Sequence, residues 1–383
     1  MDLNKPPVIV VVGFNRPSSL KRLLCSLDKA KYPEYPIRLI ISLDGGDNDA
    51  VTQTADDFQW RYGEKEIKCY KERVGLKKHI VSCGDLTARY EAVIILEDDM
   101  FVSPYFYYFA IEALKFYSSD DRISGISLYS HSYNETAKLP FYPVKDDSDV
   151  FFMQVPSSWG QVWTKKQWND FKKWLENGVV VTKSDNLPDN VIKWSDSSWK
   201  KLYFKYLYKT NKYFVYPRSS FCTNFSEKGI HMGESLNTYQ VILQMGRSFD
   251  YRFIKLDESL AVYDAYCELV PETLNRFAKE LKNFNYEVDL YGTKEVNKIE
   301  RAYILTIRKS KSPLLTYSCQ LKPKEMNIIC GINGDDIVLS KKADVIPSKL
   351  KIHSKEFEYY YEKKDIRNLI IILFYRFFEK VFG

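Results

Sequence analysis

The first hundred residues repeat one pattern, and that pattern leaves few folds open. Val8 to Val12 is an unbroken β-branched run, as a strand buried on both faces requires. "NRPSSLKRLLCSL" follows with Leu20, Leu23, Leu24 and Leu27 at the spacing of one helical face. "IRLIISLDGG" reads as a second buried strand, and a helix is expected around Asp56 to Tyr62. A short strand near Ile67 to Tyr70, a helical "VGLKKHIVSCGDLTARY" and a fourth strand, "EAVIILEDD", complete the series. Strand and helix in alternation predict a parallel sheet with helices on both faces.

Two of these strands end in acids: Asp44 in one, and Glu97, Asp98 and Asp99 in the other. Adjacent carboxylates repel, and desolvating one is costly unless a cation or donor answers it. Ligands of open α/β sheets bind at the strands' carboxyl ends. Acids there suit a hard divalent cation, Mg²⁺ or Mn²⁺, which takes one or two carboxylates and completes its shell with water and phosphates. The competing reading makes Glu97 to Asp99 the cap and first-turn acids of a helix starting near Tyr105. Three acids at a sheet's ligand edge favour the cation.

Beyond this lie a helical "YFYYFAIEALKFY", a strand "ISGISLY" and a Trp-bearing segment, "PSSWGQVWTKKQWNDFKKWL", that enters an amphipathic helix. From about Asn275 the texture changes to short strands, "RAYILTIR", "LLTYSCQL", "MNIICGI" and "DIVLS", with "NGDD" as a tight turn. The expected organisation is a domain over 1–272 in two halves, about 1–100 and 101–272. A β-rich annex over 273–383 follows, ending in an amphipathic helix. The net charge of +6 shows no dense basic stripe, so no nucleic-acid partner is expected. Seven scattered cysteines without C-x-x-C, and four histidines, point to free thiols and no structural zinc. No signal peptide is evident, and no apolar run reaches the ~20 residues of a membrane span, so a cytoplasmic chain is expected.

The ordered series of "VIVVVGFNRP", an Asp-ending second strand and "EDD" resembles the GT-A glycosyltransferases, nearest to the inverting N-acetylglucosaminyltransferase I type. The resemblance covers residues 1 to about 250, and implies a nucleotide-binding half over about 1–100 and an acceptor half over about 101–272. It implies that "EDD" stands in for the DXD motif. Asp99 would hold Mn²⁺ at the diphosphate of a UDP-sugar donor, and Glu97 and Asp98 would meet the nucleotide-sugar. It also places Asp44 against uracil, Arg16 at the nucleotide, and His79 where a base-contacting histidine is expected. Each has a plainer reading: a turn residue for Asp44, a surface cation for Arg16, a lone helix histidine for His79.

Inverting transfer also needs one carboxylate as general base on the face opposite the diphosphate. By the same resemblance Trp159 and Gly160 lie near the donor sugar. Asp196, between Trp194 and Trp199 in "KWSDSSWKK", is the base, with Asp189 in reserve; a helix N-cap is the alternative for Asp196. "NFSEKGIHMGES" resembles the loop that folds over the diphosphate, with His231 reaching a phosphate or the metal. The expected acceptor is an oligosaccharide, lipid-linked, in bacterial surface-polysaccharide assembly. The Leu369 to Phe382 segment either lies on the inner membrane face or docks on protein. A sugar nucleotidyltransferase and a non-catalytic carbohydrate-binding protein are the rival functions.

Overall fold

The computed structural model describes residues 5–46, 49–225, 238–246, 250–346 and 358–382. The chain divides into two compact units. The first comprises Met1–Tyr133 with Lys145–Cys267, the second Asn134–Val144 with Glu268–Gly383.

The first unit is built on a nine-stranded sheet. Its spatial order is Val262–Tyr263, Val150–Met153, Tyr213–Pro217, Ile123–Ser127, Gln161–Thr164, Ala92–Glu97, Val8–Gly13, Leu39–Leu43 and Lys65–Cys69. The last four strands are mutually parallel, as the alternating pattern requires. Gln161–Thr164 runs antiparallel to both its neighbours, a feature of long-range strand order that no local pattern encodes. All six residues of Val8–Gly13 are buried, and Leu20, Leu23, Leu24 and Leu27 of helix Pro17–Lys29 pack inward. The expected helix at Asp56 to Tyr62 lies earlier, at Asp49–Asp57. It stops there because the Lys65 ammonium binds the carbonyls of Ala55, Asp56 and Phe58 at 2.6–2.9 Å.

The abundant aromatic residues largely serve this core. Trp163, Trp168, Phe171 and Tyr203 form one cluster with ring centres 4.1–5.7 Å apart. Buried tyrosines satisfy their hydroxyls on backbone carbonyls, Tyr107 on Pro7, Tyr117 on Ile254 and Tyr216 on Val155, at 2.8–2.9 Å.

The second unit holds a four-stranded sheet in the order Tyr286–Asp289, Tyr303–Thr306, Ile337–Lys341, Pro313–Tyr317. "MNIICGI", expected as a strand, is instead the short helix Glu325–Ile329. Buried Asn327 fixes it: its amide oxygen accepts from the Gln320 and Leu321 amides, and its nitrogen donates to the Leu321 and Lys324 carbonyls, all at 2.9–3.0 Å. Helix Lys363–Phe382 ends the chain. Among the described residues no helix is long and apolar enough to cross a membrane.

Candidate active site

The chain leaves strand Val8–Gly13 towards Leu39–Leu43 on one side, while Ala92–Glu97 adds on the other. Strand order reverses there, which opens a crevice outside the carboxyl ends. Val12 pairs with Ser42 and with Glu97, so the three strands finish in line. Their continuations bring Arg16, Asp44, Asp98 and Asp99 to one edge.

Arg16 is set by the proline behind it, which disfavours helical backbone and leaves Arg16 as the N-cap of helix Pro17–Lys29. Its guanidinium grips the buried Asp98 with two nitrogens, Nε lying 3.3 Å from Oδ2. Its Nη1 donates to Asp99 Oδ2, also at 3.3 Å. Burial still dominates at Asp98 and pushes its carboxyl up to about 6 against the pull of Arg16. Glu97, half-buried, is raised by desolvation first and then by the Asp99 and Asp98 charges; Arg16 and Lys200 act against that rise. Asp99 Oδ1 is buried with no hydrogen-bond partner.

These acids do not cap a helix. They are followed by strand Met100–Val102, which pairs with Cys222–Asn224, and helix Phe106–Tyr117 begins beyond it with no acid in its first turn. Among the described residues no three His, Cys, Asp or Glu side chains are grouped to hold a metal by themselves. A Mg²⁺ or Mn²⁺ ion needs only one or two carboxylates when phosphates complete its shell. The orphaned Asp99 oxygen, in a row of three acids answered by one guanidinium, fits that requirement.

Asp44 is committed locally. Its Oδ1 accepts from the Gly45 and Val74 amides and its Oδ2 from Gly75, at 2.8–3.0 Å. Each carboxylate oxygen has two lone-pair sites, so Oδ2 keeps one for a ligand. His79 lies behind the edge, buried, with Nε2 2.7 Å from Ser42 Oγ and its ring edge-on to Tyr70. Burial lowers its pKa, so the ring is neutral at pH 7.

Trp159 is half-buried, its ring 4.8 Å from that of Tyr129 and 5.0 Å from that of Tyr239. Gly160 has φ +70°, and a Cβ there would sit 2.9 Å from Cys222 Sγ, so glycine is required. Asp196 is not a helix cap; Ser198 caps helix Trp199–Thr210. The Asp196 side chain is 93% exposed and pairs at 2.7 Å with buried Lys201, which holds its carboxyl below the usual range. Asp189 opens the short helix Asp189–Lys193. His231 lies outside the described residues.

Sequence reasoning missed Lys200, whose ammonium lies over the Trp159 and Trp194 rings and whose charge is felt at Glu97. One signal was present: a lysine in the first turn of a helix opposes the macrodipole.

No family model matches the sequence, and no curated protein matches it either. Among solved structures, the S. aureus TarS 1–349 complex with UDP-GlcNAc is 14% identical with a TM-score of 0.39, over 60% of this chain and 61% of that one. The mannosyltransferase PcManGT from Pyrobaculum calidifontis, with GDP-Man and Mn²⁺, is 12% identical with a TM-score of 0.36, over 60% of each chain. GalNAc-T7 with UDP, GalNAc and Mn²⁺ is 14% identical with a TM-score of 0.39, over 57% of this chain and 43% of that one. This chain thus spans less than two thirds of each, and likenesses this distant carry no functional argument.

Proposed function

We propose that this chain is an inverting, metal-dependent glycosyltransferase that moves a sugar from a UDP-sugar to a saccharide acceptor in bacterial surface-polysaccharide assembly. The observation that carries the reading is the carboxylate row at the sheet's switch point, one buried oxygen of which, Asp99 Oδ1, has no partner. A divalent cation bound there supplies charge neutralisation for a departing diphosphate. Asp99 is its ligand. Glu97 and Asp98 meet the nucleotide-sugar, and Arg16 holds Asp98 and Asp99 in place. Asp44 has a free lone-pair site on Oδ2 for the base, and its charge is felt at the neutral His79. Trp159 and Gly160 border the donor sugar.

Asp196 takes the acceptor hydroxyl's proton. Its pairing with Lys201 keeps it ionised, and Lys77 Nζ on its backbone oxygen at 3.2 Å ties its turn to helix Leu76–Gly84. Replacing it by Asn is expected to slow transfer by ~100-fold or more, with UDP affinity unchanged. Equal loss of both would mark it as structural.

In the terminal helix, Leu369 to Tyr375 are seven consecutive apolar residues, each at least 43% exposed. Apolar exposure of that extent, in a segment that also carries Arg367, Arg376 and Lys380, suits an apolar layer bordered by anionic headgroups. We assign the helix to the surface of an anionic bilayer. Co-flotation of the full chain with phosphatidylglycerol vesicles, reduced by Leu373→Asp, is the expected result.

The decisive measurement is calorimetric titration with UDP, with and without Mn²⁺, using GDP and CMP as controls. Binding of UDP that needs the metal is expected. No UDP binding in its presence refutes the reading. Pyrophosphate release from UTP and a sugar phosphate would indicate a nucleotidyltransferase. Glycan binding without turnover would indicate a binding protein.

A further inference from the structure

Lys200 is the second residue of helix Trp199–Thr210, where the macrodipole already places about half a positive charge. The cations beside it are already committed. Lys201 lies beside it and is consumed by the Trp194 carbonyl at 2.8 Å and by Asp196 at 2.7 Å. Lys77 binds the Asp196 backbone oxygen. Lys200 itself is half-buried and makes no hydrogen bond or ion pair among the described residues. Two indole faces hold it instead, Trp159 at 5.3 Å and Trp194 at 5.4 Å from Nζ to ring centre. An aromatic face attracts an ammonium without neutralising it. The charge is therefore positioned but unspent.

A second observation lies on the sheet face beneath this helix. Trp163 contacts Trp199 and Tyr203 of the helix at 5.6 and 5.7 Å between ring centres. Gln161, two residues earlier on the same strand, shares that face. It pairs with Ile95, and Glu97 is the next residue of that strand on the same side. Gln161 is fully buried, and neither atom of its amide has a partner. A buried amide left unmatched is costly, a cost relieved when a ligand or its water arrives. The Lys200 charge also reaches Glu97, as that of Arg16 does.

We propose that Lys200 is a specificity residue for an anionic sugar: its ammonium, held by Trp159 and Trp194 with Gln161 beneath, receives a carboxylate or phosphate carried by the donor sugar or by the acceptor saccharide. The inference rests on the nucleotide-sugar reading above. It adds that a neutral hexose is not the whole substrate.

The test compares wild type with Lys200→Met, which keeps the length and packing of the side chain, and Lys200→Arg, which keeps the charge. Thermal melts verify that each variant folds. Affinities for UDP-glucuronate and UDP-glucose are measured with Mn²⁺, and those for free glucuronate and glycerol phosphate at saturating UDP and Mn²⁺. A preference of about tenfold or more for UDP-glucuronate, lost in Lys200→Met and kept in Lys200→Arg, places the anion on the donor. No donor preference, with binding of glucuronate or glycerol phosphate that Lys200→Met abolishes, places it on the acceptor. If wild type binds UDP but shows no charge preference, or one that survives Lys200→Met, this inference falls alone. If wild type fails to bind UDP, the nucleotide-sugar reading falls and takes this one with it.

Discussion

Asp289 in the second unit and Asp98–Asp99 in the first are both carboxylates at strand ends, and they are treated in opposite ways. Asp289 is fully buried with its lone pairs answered: Oδ1 by the Lys294 amide at 2.9 Å, Oδ2 by Arg308 Nε at 2.9 Å and Thr306 Oγ1 at 3.4 Å. Arg308 Nη2 donates to the carbonyls of Gly292 and Lys294. At the crevice, one guanidinium serves Asp98 and Asp99 together, Glu97 is crowded by both, and Asp99 Oδ1 has nothing. Asp289 is matched within the chain, whereas the crevice acids are left short at Asp99 Oδ1, the atom on which the proposed cation site rests.

The contrast can be broken most forcefully at Asp289. Asp289→Ala leaves a buried arginine unpaired and is expected to destabilise the second unit by about 3–5 kcal/mol in chemical denaturation; a loss under about 1 kcal/mol would make the pair ornamental. Glu325 sharpens the comparison from the other side, being buried like Asp289 but without an arginine. Burial pushes its carboxyl from 4.5 up to about 7, its own backbone amide and Lys324 opposing. A raised folded value means the protonated form is favoured on folding. The contribution is full below pH 4.5 and is lost as pH rises through about 7. The loss is about 3 kcal/mol at most. Glu325→Gln should flatten the pH dependence of unfolding, and an unchanged slope would reject this.

Asp99→Ala comes next. Metal-dependent UDP affinity should fall by about 100-fold, roughly 2.8 kcal/mol, while the melting temperature without metal stays near that of wild type. A large drop in melting temperature would place Asp99 with Asp289 as a fold residue. The smallest effect is expected for Arg16→Ala, about 1–2 kcal/mol in metal-free buffer. Added Mn²⁺ should raise its melting temperature more than that of wild type, since a bound ion stabilises the folded state. Equal rises in both would show that Arg16 and the cation do not answer the same charge.

Much of the first unit was legible because its signals are local. The Val8–Val12 run, the four leucines of the first helix and acids directly after apolar strands each declare themselves within a dozen residues. What was hidden depends on partners far away in the chain. Lys65 ends a helix that it does not belong to. Asn327 turns an apolar stretch that reads as strand into a helix by holding four backbone groups. The burial of His79 was hidden, because Ser42 and Tyr70 reach it from other elements. The acids were legible as a cluster, but not the accounting that leaves Asp99 Oδ1 unmatched, because Arg16 arrives from 82 residues away. Lys200 was least legible of all, since its meaning comes from two indole faces.

The fork at Asp44 has a consequence for how the molecule can be watched. Val74 and Gly75 lie in a loop, where amide protons ordinarily trade with solvent quickly, yet both are tethered to one carboxylate. They should behave as slow-exchanging protons in an otherwise fast segment. Any nucleobase that draws Asp44 towards itself loosens that grip. The isotope uptake of two loop amides then becomes a gauge of occupancy at the strand edge, readable without turnover.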